Sequence, residues 1–236
     1  MIEKASIGVI GCGRISPQYL ENLVRRFAFC LNIVALADIV PEAAKTRAEE
    51  FDVPRVCTVE ELLADPEIEI VVNLTVPAAH YEVTIAALEA GKHVYTEKPL
   101  AVTREEGKTV VETARNKGLL LGGAPDTFLG AGLQTCRKLL DEGWVGQPLV
   151  AQGFIAMGVP VARYHKAGVG PMFDMGPYYV TALVALLGPV IRATGSAQIP
   201  FAIKSNPDPL RPDYGQPFTV DTPTVVSGVL DFESGV

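Results

Sequence analysis

Basic charge is in short supply in this sequence. Its 20 Lys and Arg face 27 Asp and Glu, a formal net charge of −7, and no basic stripe is available to track a phosphate backbone or an anionic bilayer. Nucleic-acid and membrane-surface partners are therefore not expected. Long apolar runs are missing too. Nothing approaches the ~18 residues of a membrane-crossing helix, and the opening stretch MIEKASIGVIG has no apolar core of signal-peptide length, so a cytoplasmic address is expected. The cysteines are few and scattered. Cys12, Cys30, Cys57 and Cys136 have no paired spacing, which reads as reduced thiols and predicts neither a disulfide frame nor a metal site. No internal repeat or low-complexity tract occurs. What is abundant is apolar side chain, 48% of 236 residues, enough to bury a sizeable core in one large domain or two small ones.

Two textures divide the chain. Up to residue 124, apolar runs alternate with helix-period segments. The runs are SIGVIG, NIVALAD, a short RVCT, IEIVVNLTV, KHVYTE and LLLGG, and the helical segments between them fall at 17–27, 41–51, 58–64, 78–90 and 103–117. Such β-α alternation predicts a parallel sheet covered on both faces, and IVALA and IEIVVNL are apolar nearly throughout, as doubly covered strands must be. After GGAP the pattern becomes a helix at about 127–142, a strand at about 147–157, a Gly-rich stretch, a helix at about 174–187 and further strands. The expected domains are 1–124 and 125–236. The five prolines of 206–223 predict an extended loop.

The first run ends in GVIGCGRISPQYL. Gly11, Gly13 and Ser16 occupy the G-x-G-x-x-(G/A) positions, where the first glycine permits a tight turn and the second lets a pyrophosphate approach the backbone. Asp38 stands 22 positions after Ser16, at the end of the second run, close to the ~20-residue spacing of the acid that binds a ribose 2′-hydroxyl. That carboxylate would repel a 2′-phosphate. It favours NAD, while Arg14, Lys45 and Arg47 keep NADP open, and a solvated cap on the segment from Pro41 remains the plain alternative for Asp38.

In a doubly wound sheet, ligands sit outside the carboxyl ends of the strands. Thr75 and Pro77, where IVVNLTVPAAH ends, are therefore candidates for the nicotinamide half of a dinucleotide. His80 follows them either as a ligand contact or as a capping or core residue. His93 reads as structural. The stretch YTEKPLAV then brings Glu97, Lys98 and Pro99 to the end of what is expected to be the fifth strand. Pro99 restricts Lys98 to extended geometry and is able to form a cis bond, which would aim the amine.

In GVIGCGRIS, TVPAAH, EKPLA and GVGPMFDMGPYYVTALVALLG the chain resembles the Gfo/Idh/MocA family of NAD(P)-dependent oxidoreductases. The resemblance implies an α/β fold in which a Rossmann doubly wound parallel sheet precedes an α/β domain with a mostly antiparallel sheet, one that would be incomplete here because VVSGVLDF leads into a turn with no return strand after it. It implies that Arg14, Ile15, His80 and Glu97 join Gly11, Gly13, Asp38, Thr75, Pro77 and Lys98 at the cofactor. It implies that Lys98 lies at both nicotinamide and substrate, where a Lys of reference pKa ~10.4 exchanges a proton near neutrality once burial or a positive neighbour depresses it.

The family's second motif falls on Asp174 and Tyr178, with Tyr where His is usual, as in members acting on dihydrodiols or sugars. Their spacing predicts one helical face. Thr181 replaces a usual Asp. Asp126 is a candidate substrate contact or an N-cap, and His165 is expected to be exposed. The implied reaction is hydride transfer to or from a hydroxyl-bearing carbon of a sugar, polyol or related small molecule. Two rivals stay open, a tightly held NAD used without net redox change and a non-catalytic NAD-binding sensor or partner subunit. A homo-oligomer formed through the C-terminal sheet is a further implication.

Overall fold

Five apolar runs build the first sheet. The structure, a computed structural model, describes residues 4–158, 162–165 and 169–236 and divides into two units, Met1–Ala124 and Pro125–Val236. In the first unit, β1 (Ala5–Ile10), β2 (Leu31–Ala37), β3 (Ile70–Asn73), β4 (His93–Thr96) and β5 (Leu121–Gly123) line up in the order β2-β1-β3-β4-β5, and every pairing is parallel.

Strand side chains alternate between faces, so the sheet sends residues into two cores. On one side Ile10, Val71 and Val94 meet Leu62, Leu88 and Val110 of α3 (Val59–Ala64), α4 (Pro77–Glu89) and α5 (Arg104–Lys117). On the other, Ile7, Val9, Leu36 and Val72 meet Leu20 of α1 (Ser16–Glu21) and Ala44 and Ala48 of α2 (Pro41–Phe51). Leu20, Leu36, Leu62 and Leu88 are fully buried, and each contributes roughly 1.5–3 kcal/mol relative to an exposed position. Thr58 and Thr103 start α3 and α5 with capping boxes closed by Glu61 and Glu106, satisfying two orphan N–H groups at each end.

Two expectations for this unit change. RVCT forms no strand of its own. Val56 makes a single parallel bridge to Leu36, so the sheet has five strands, and the EKP turn follows the fourth strand instead of the fifth. The helix expected over 17–27 is α1 continued by a π-helical turn, Asn22–Arg26.

The second unit opens with a 3₁₀ turn, Thr127–Leu129, and α6 (Ala131–Asp141) in place of one continuous helix. No strand forms over 147–157. That segment carries exposed Leu149, Val150 and Phe154 and has β-favouring residues but no partner backbone among the described residues. The helix expected over 174–187 is two helices, α7 (Gly170–Asp174) and α8 (Gly176–Leu187). Pro177 explains the break, because it has no N–H to donate to Phe173 and its ring crowds that carbonyl.

Two antiparallel pairs follow. β6 (Val190–Gln198) pairs with β9 (Val225–Phe232), and β7 (Ile203–Ser205) pairs with β8 (Pro217–Thr219). Part of the proline-rich 206–223 stretch is therefore strand. Beyond β9 a tight turn closes with Phe232 N–H donating to Val236 O at 2.9 Å.

Candidate functional site

The carboxyl ends of β1, β2, β3 and β4 form one edge, and backbone bonds lace it together. Gly11 N–H donates to Ala37 O at 2.9 Å, Leu74 N–H to Ile10 O at 2.8 Å and Glu97 N–H to Asn73 O at 2.9 Å. β1 lies between β2 and β3, so the strand order reverses there. Such a switch point opens the crevice in which a doubly wound sheet binds ligands.

At the switch point Gly11 is obligatory. Its φ is +101°, and an added Cβ would lie 2.6 Å from the Leu74 carbonyl carbon. Gly13 is different, because a Cβ there would meet nothing within 4 Å. It leaves open, exposed backbone of the kind a pyrophosphate approaches. Ser16 closes the turn, donating its hydroxyl to Gly13 O at 2.8 Å. Arg14 and Ile15 are exposed beside it.

Asp38 does two jobs at once. Its Oδ2 accepts from Cys12 N–H at 2.7 Å, locking the glycine turn to the end of β2, and its Oδ1 accepts from Val40 N–H at 2.8 Å. Each oxygen retains acceptor capacity for a ribose hydroxyl. The helix-capping alternative is thus partly true, since Val40 is the N-cap of α2. Burial, with Asp38 adding to it, pushes the Cys12 thiol up to about 12, so Cys12 packs as a protonated thiol. Lys45 pairs with Glu42 and Arg47 with Glu50 on their own helix, whereas Arg14 stands exposed at the glycine turn itself. An open glycine, a carboxylate with spare lone pairs and a switch-point crevice fit a dinucleotide.

The nicotinamide candidates are held by Asn73, which sequence reasoning passed over. Fully buried, its Oδ1 accepts from Thr75 N–H at 3.2 Å and Thr75 Oγ1 at 2.7 Å, and its Nδ2 donates to His80 O and Thr84 Oγ1, both at 3.1 Å. A lone polar residue ending an apolar strand was the available signal. Pro77 begins α4 at the same edge.

The expectation that His80 contacts the cofactor gives way. It is 1% exposed, with Nδ1 2.6 Å from Pro99 O and Nε2 3.0 Å from Thr75 O. Its ring is a strut between two turns, and both of its nitrogens are occupied. Lys98 is half-buried and its bond to Pro99 is cis. Glu97 faces inward as well. Its Oε2 accepts from Lys98 N–H and its Oε1 from Tyr19 Oη, each at 2.8 Å. His93 accepts from Leu120 N–H through Nδ1 at 3.0 Å, a structural link between β4 and the segment leading into β5.

The second unit carries the remaining candidates. Asp174 ends α7 and Tyr178 lies in the first turn of α8. The expected single helical face is therefore interrupted at Met175. Asp126 is exposed at the N-cap position of the 3₁₀ turn but makes no side-chain cap bond. His165 is 2% exposed, not exposed as expected. Its ring lies 5.1 Å from that of Phe218, a partner 53 positions away that no local pattern reveals. Part of the loop before α7 lies outside the described residues. Among the described residues no His, Cys, Asp or Glu cluster suits a metal ion, and no helix is long and apolar enough to cross a membrane.

A parallel sheet with a glycine turn at its switch point and an acid ending the next strand defines a Rossmann dinucleotide-binding domain. The comparisons carry the assignment further. A family model described as an oxidoreductase family with an NAD-binding Rossmann fold matches residues 5–123, and one for the GFO/IDH/MocA C-terminal domain matches 133–236. The chain belongs to the Gfo/Idh/MocA family.

It is 34% identical over 154 residues to a 1,5-anhydro-D-fructose reductase of Ensifer adhaerens, covering 65% of this chain and 46% of that protein. It is 32% identical over 193 residues to a scyllo-inositol 2-dehydrogenase (NADP(+)) of Bacillus subtilis, covering 79% and 53%. A solved levoglucosan dehydrogenase in complex with NADH and L-sorbose shares the fold with a TM-score of 0.82 at 23% identity, over 100% of this chain and 65% of that one. The chain thus spans about half the length of the curated relatives it matches.

Proposed function

We propose that this chain acts as an NAD(P)-dependent oxidoreductase on a hydroxyl-bearing carbon of a sugar, polyol or related compound, with NAD preferred. The observation that carries this reading is that the glycine turn after β1 and the EKP turn after β4 lie on one sheet edge, with only β3 between the two strands. Gly11, Gly13, Arg14, Ile15, Asp38, Thr75 and Pro77 would hold the dinucleotide. Bound there, a nicotinamide supplies or takes up a hydride at C4. Lys98 Nζ holds or releases the substrate hydroxyl proton, and the motif position of Tyr178 offers a phenol for the same task. Asp174 orients substrate, and Asp126 is a further substrate contact. The main contribution of the protein is to hold the reacting groups in place. The substrates in the relatives' names, sugars and inositols, support the substrate class. Its four free cysteines suit a reducing compartment such as the cytoplasm, and the exposed β6–β9 pair suits association of copies.

The test is formation of reduced nicotinamide over a panel of sugars and polyols, by wild type and by Lys98→Met. Expected is turnover that falls about 10³-fold in the variant, with NADH binding and melting temperature retained. Turnover untouched by the substitution overturns the role of Lys98. Cofactor that copurifies and never exchanges, or binding without turnover on any compound, overturns the dehydrogenase reading in favour of a non-redox NAD enzyme or a sensor.

A further inference from the structure

Lys98 sits in a turn, where a side chain is only as well aimed as its backbone is fixed. Downstream of Lys98, His80 holds the Pro99 carbonyl. Upstream, the Glu97 carboxylate spans two donors, with Oε2 on Lys98 N–H and Oε1 on Tyr19 Oη, each at 2.8 Å. Tyr19 stands in α1, the helix that continues directly from the Gly11–Gly13 turn, and its ring is 6.3 Å from that of Tyr95 in β4. Its hydroxyl thus joins the helix that follows the dinucleotide turn to the strand end that carries the amine. Without that bond Glu97 would be a half-buried carboxylate free to rotate about three side-chain torsions, and its hold on Lys98 N–H would be one rotamer among several.

We propose that Tyr19 is a positioning residue for Lys98, acting through Glu97. It fixes the peptide from which the amine projects, and it touches neither substrate nor cofactor. The inference rests on the role proposed above for Lys98. Because reacting groups displaced by about 1 Å lose on the order of 10²-fold in rate, Tyr19→Phe, which keeps the ring and removes the hydroxyl, is expected to lower kcat about 10-fold. KM for the hydroxy substrate should stay within about twofold, the split that marks an interaction serving the transition state.

Two readouts separate positioning from plain stability. In the protein without cofactor, the side-chain amine resonance of Lys98 in ¹³C,¹⁵N-lysine spectra should shift and broaden in Tyr19→Phe, while that of Lys117 stays in place. In a double-mutant cycle, Tyr19→Phe added to Glu97→Ala should cost nothing further, because the two act as one unit. An unmoved Lys98 resonance overturns the proposal, as does full additivity in the cycle. A lower melting temperature with unchanged kcat overturns it as well. The resonance test needs no turnover, so if no hydroxy compound is oxidised the dehydrogenase reading fails while the link from Tyr19 to Lys98 is still decided.

Discussion

The two units solve the problem of a β-structure with apolar side chains in opposite ways. In the first, five strands are covered on both faces, and the polar groups at the carboxyl edge are held by one another. Asp38 holds Cys12 N–H, Asn73 holds Thr75, His80 holds Pro99 O and Glu97 holds Lys98 N–H. In the second, β6 and β9 form a ribbon on which Ile191, Val225, Val226 and Val229 are exposed, and 147–158 has no strand partner among the described residues. Binding geometry demands the first arrangement. A crevice that must hold a dinucleotide to fractions of an ångström needs each turn fixed from more than one direction, whereas a ribbon with open faces defines a surface without defining a site.

The sharpest way to break that comparison is at Gly11. Gly11→Ala forces a Cβ into the Leu74 backbone at a positive φ and is expected to cost about 3 kcal/mol or more, read from urea unfolding of the first unit together with loss of NADH binding. An alanine tolerated there would show a crevice looser than described. Next come paired truncations. Leu36→Ala, in the covered sheet, should cost about 3 kcal/mol, and Val229→Ala, on the ribbon, less than about 0.5 kcal/mol. Equal costs would mean that the ribbon is as buried as the sheet. Smaller than the Leu36 cost, Asp38→Ala should weaken NADH about tenfold, or ~1.4 kcal/mol, and narrow the preference over NADPH. An unchanged affinity would leave Asp38 only its structural bonds.

The smallest effect at neutral pH concerns Cys12. Its folded pKa of about 12 exceeds the 9.0 of a free thiol, so the unfolded chain gives up that proton first. The stability from this group is complete below pH 9 and is lost as pH rises from 9 towards 12. Urea midpoints across that window should fall in the wild type and flatten in Cys12→Ala.

Most of the first unit was legible in the sequence, because doubly covered strands must be apolar and glycine turns must carry glycine. RVCT misled because a short β-favouring run makes a strand only if a neighbour offers more than one bridge. The same physics undid the strand expected at 147–157. The break between Asp174 and Tyr178 was visible in Gly176 and Pro177, which open a new helix. Tyr19 was not legible, since its partner lies 78 positions away and no periodicity spans that distance. His80 showed the limit of reading by position. It falls where a ligand contact belongs, and only its burial reveals the strut.

The most direct test of the whole account is a titration of the ¹⁵N-labelled 236-residue chain with NADH, followed at the amides of Gly13, Asp38, Thr75 and Lys98. One edge binding one dinucleotide predicts that all four shift together and saturate at a 1:1 ratio with a single Kd. A saturating shift at Gly13 with Lys98 unmoved would contradict it.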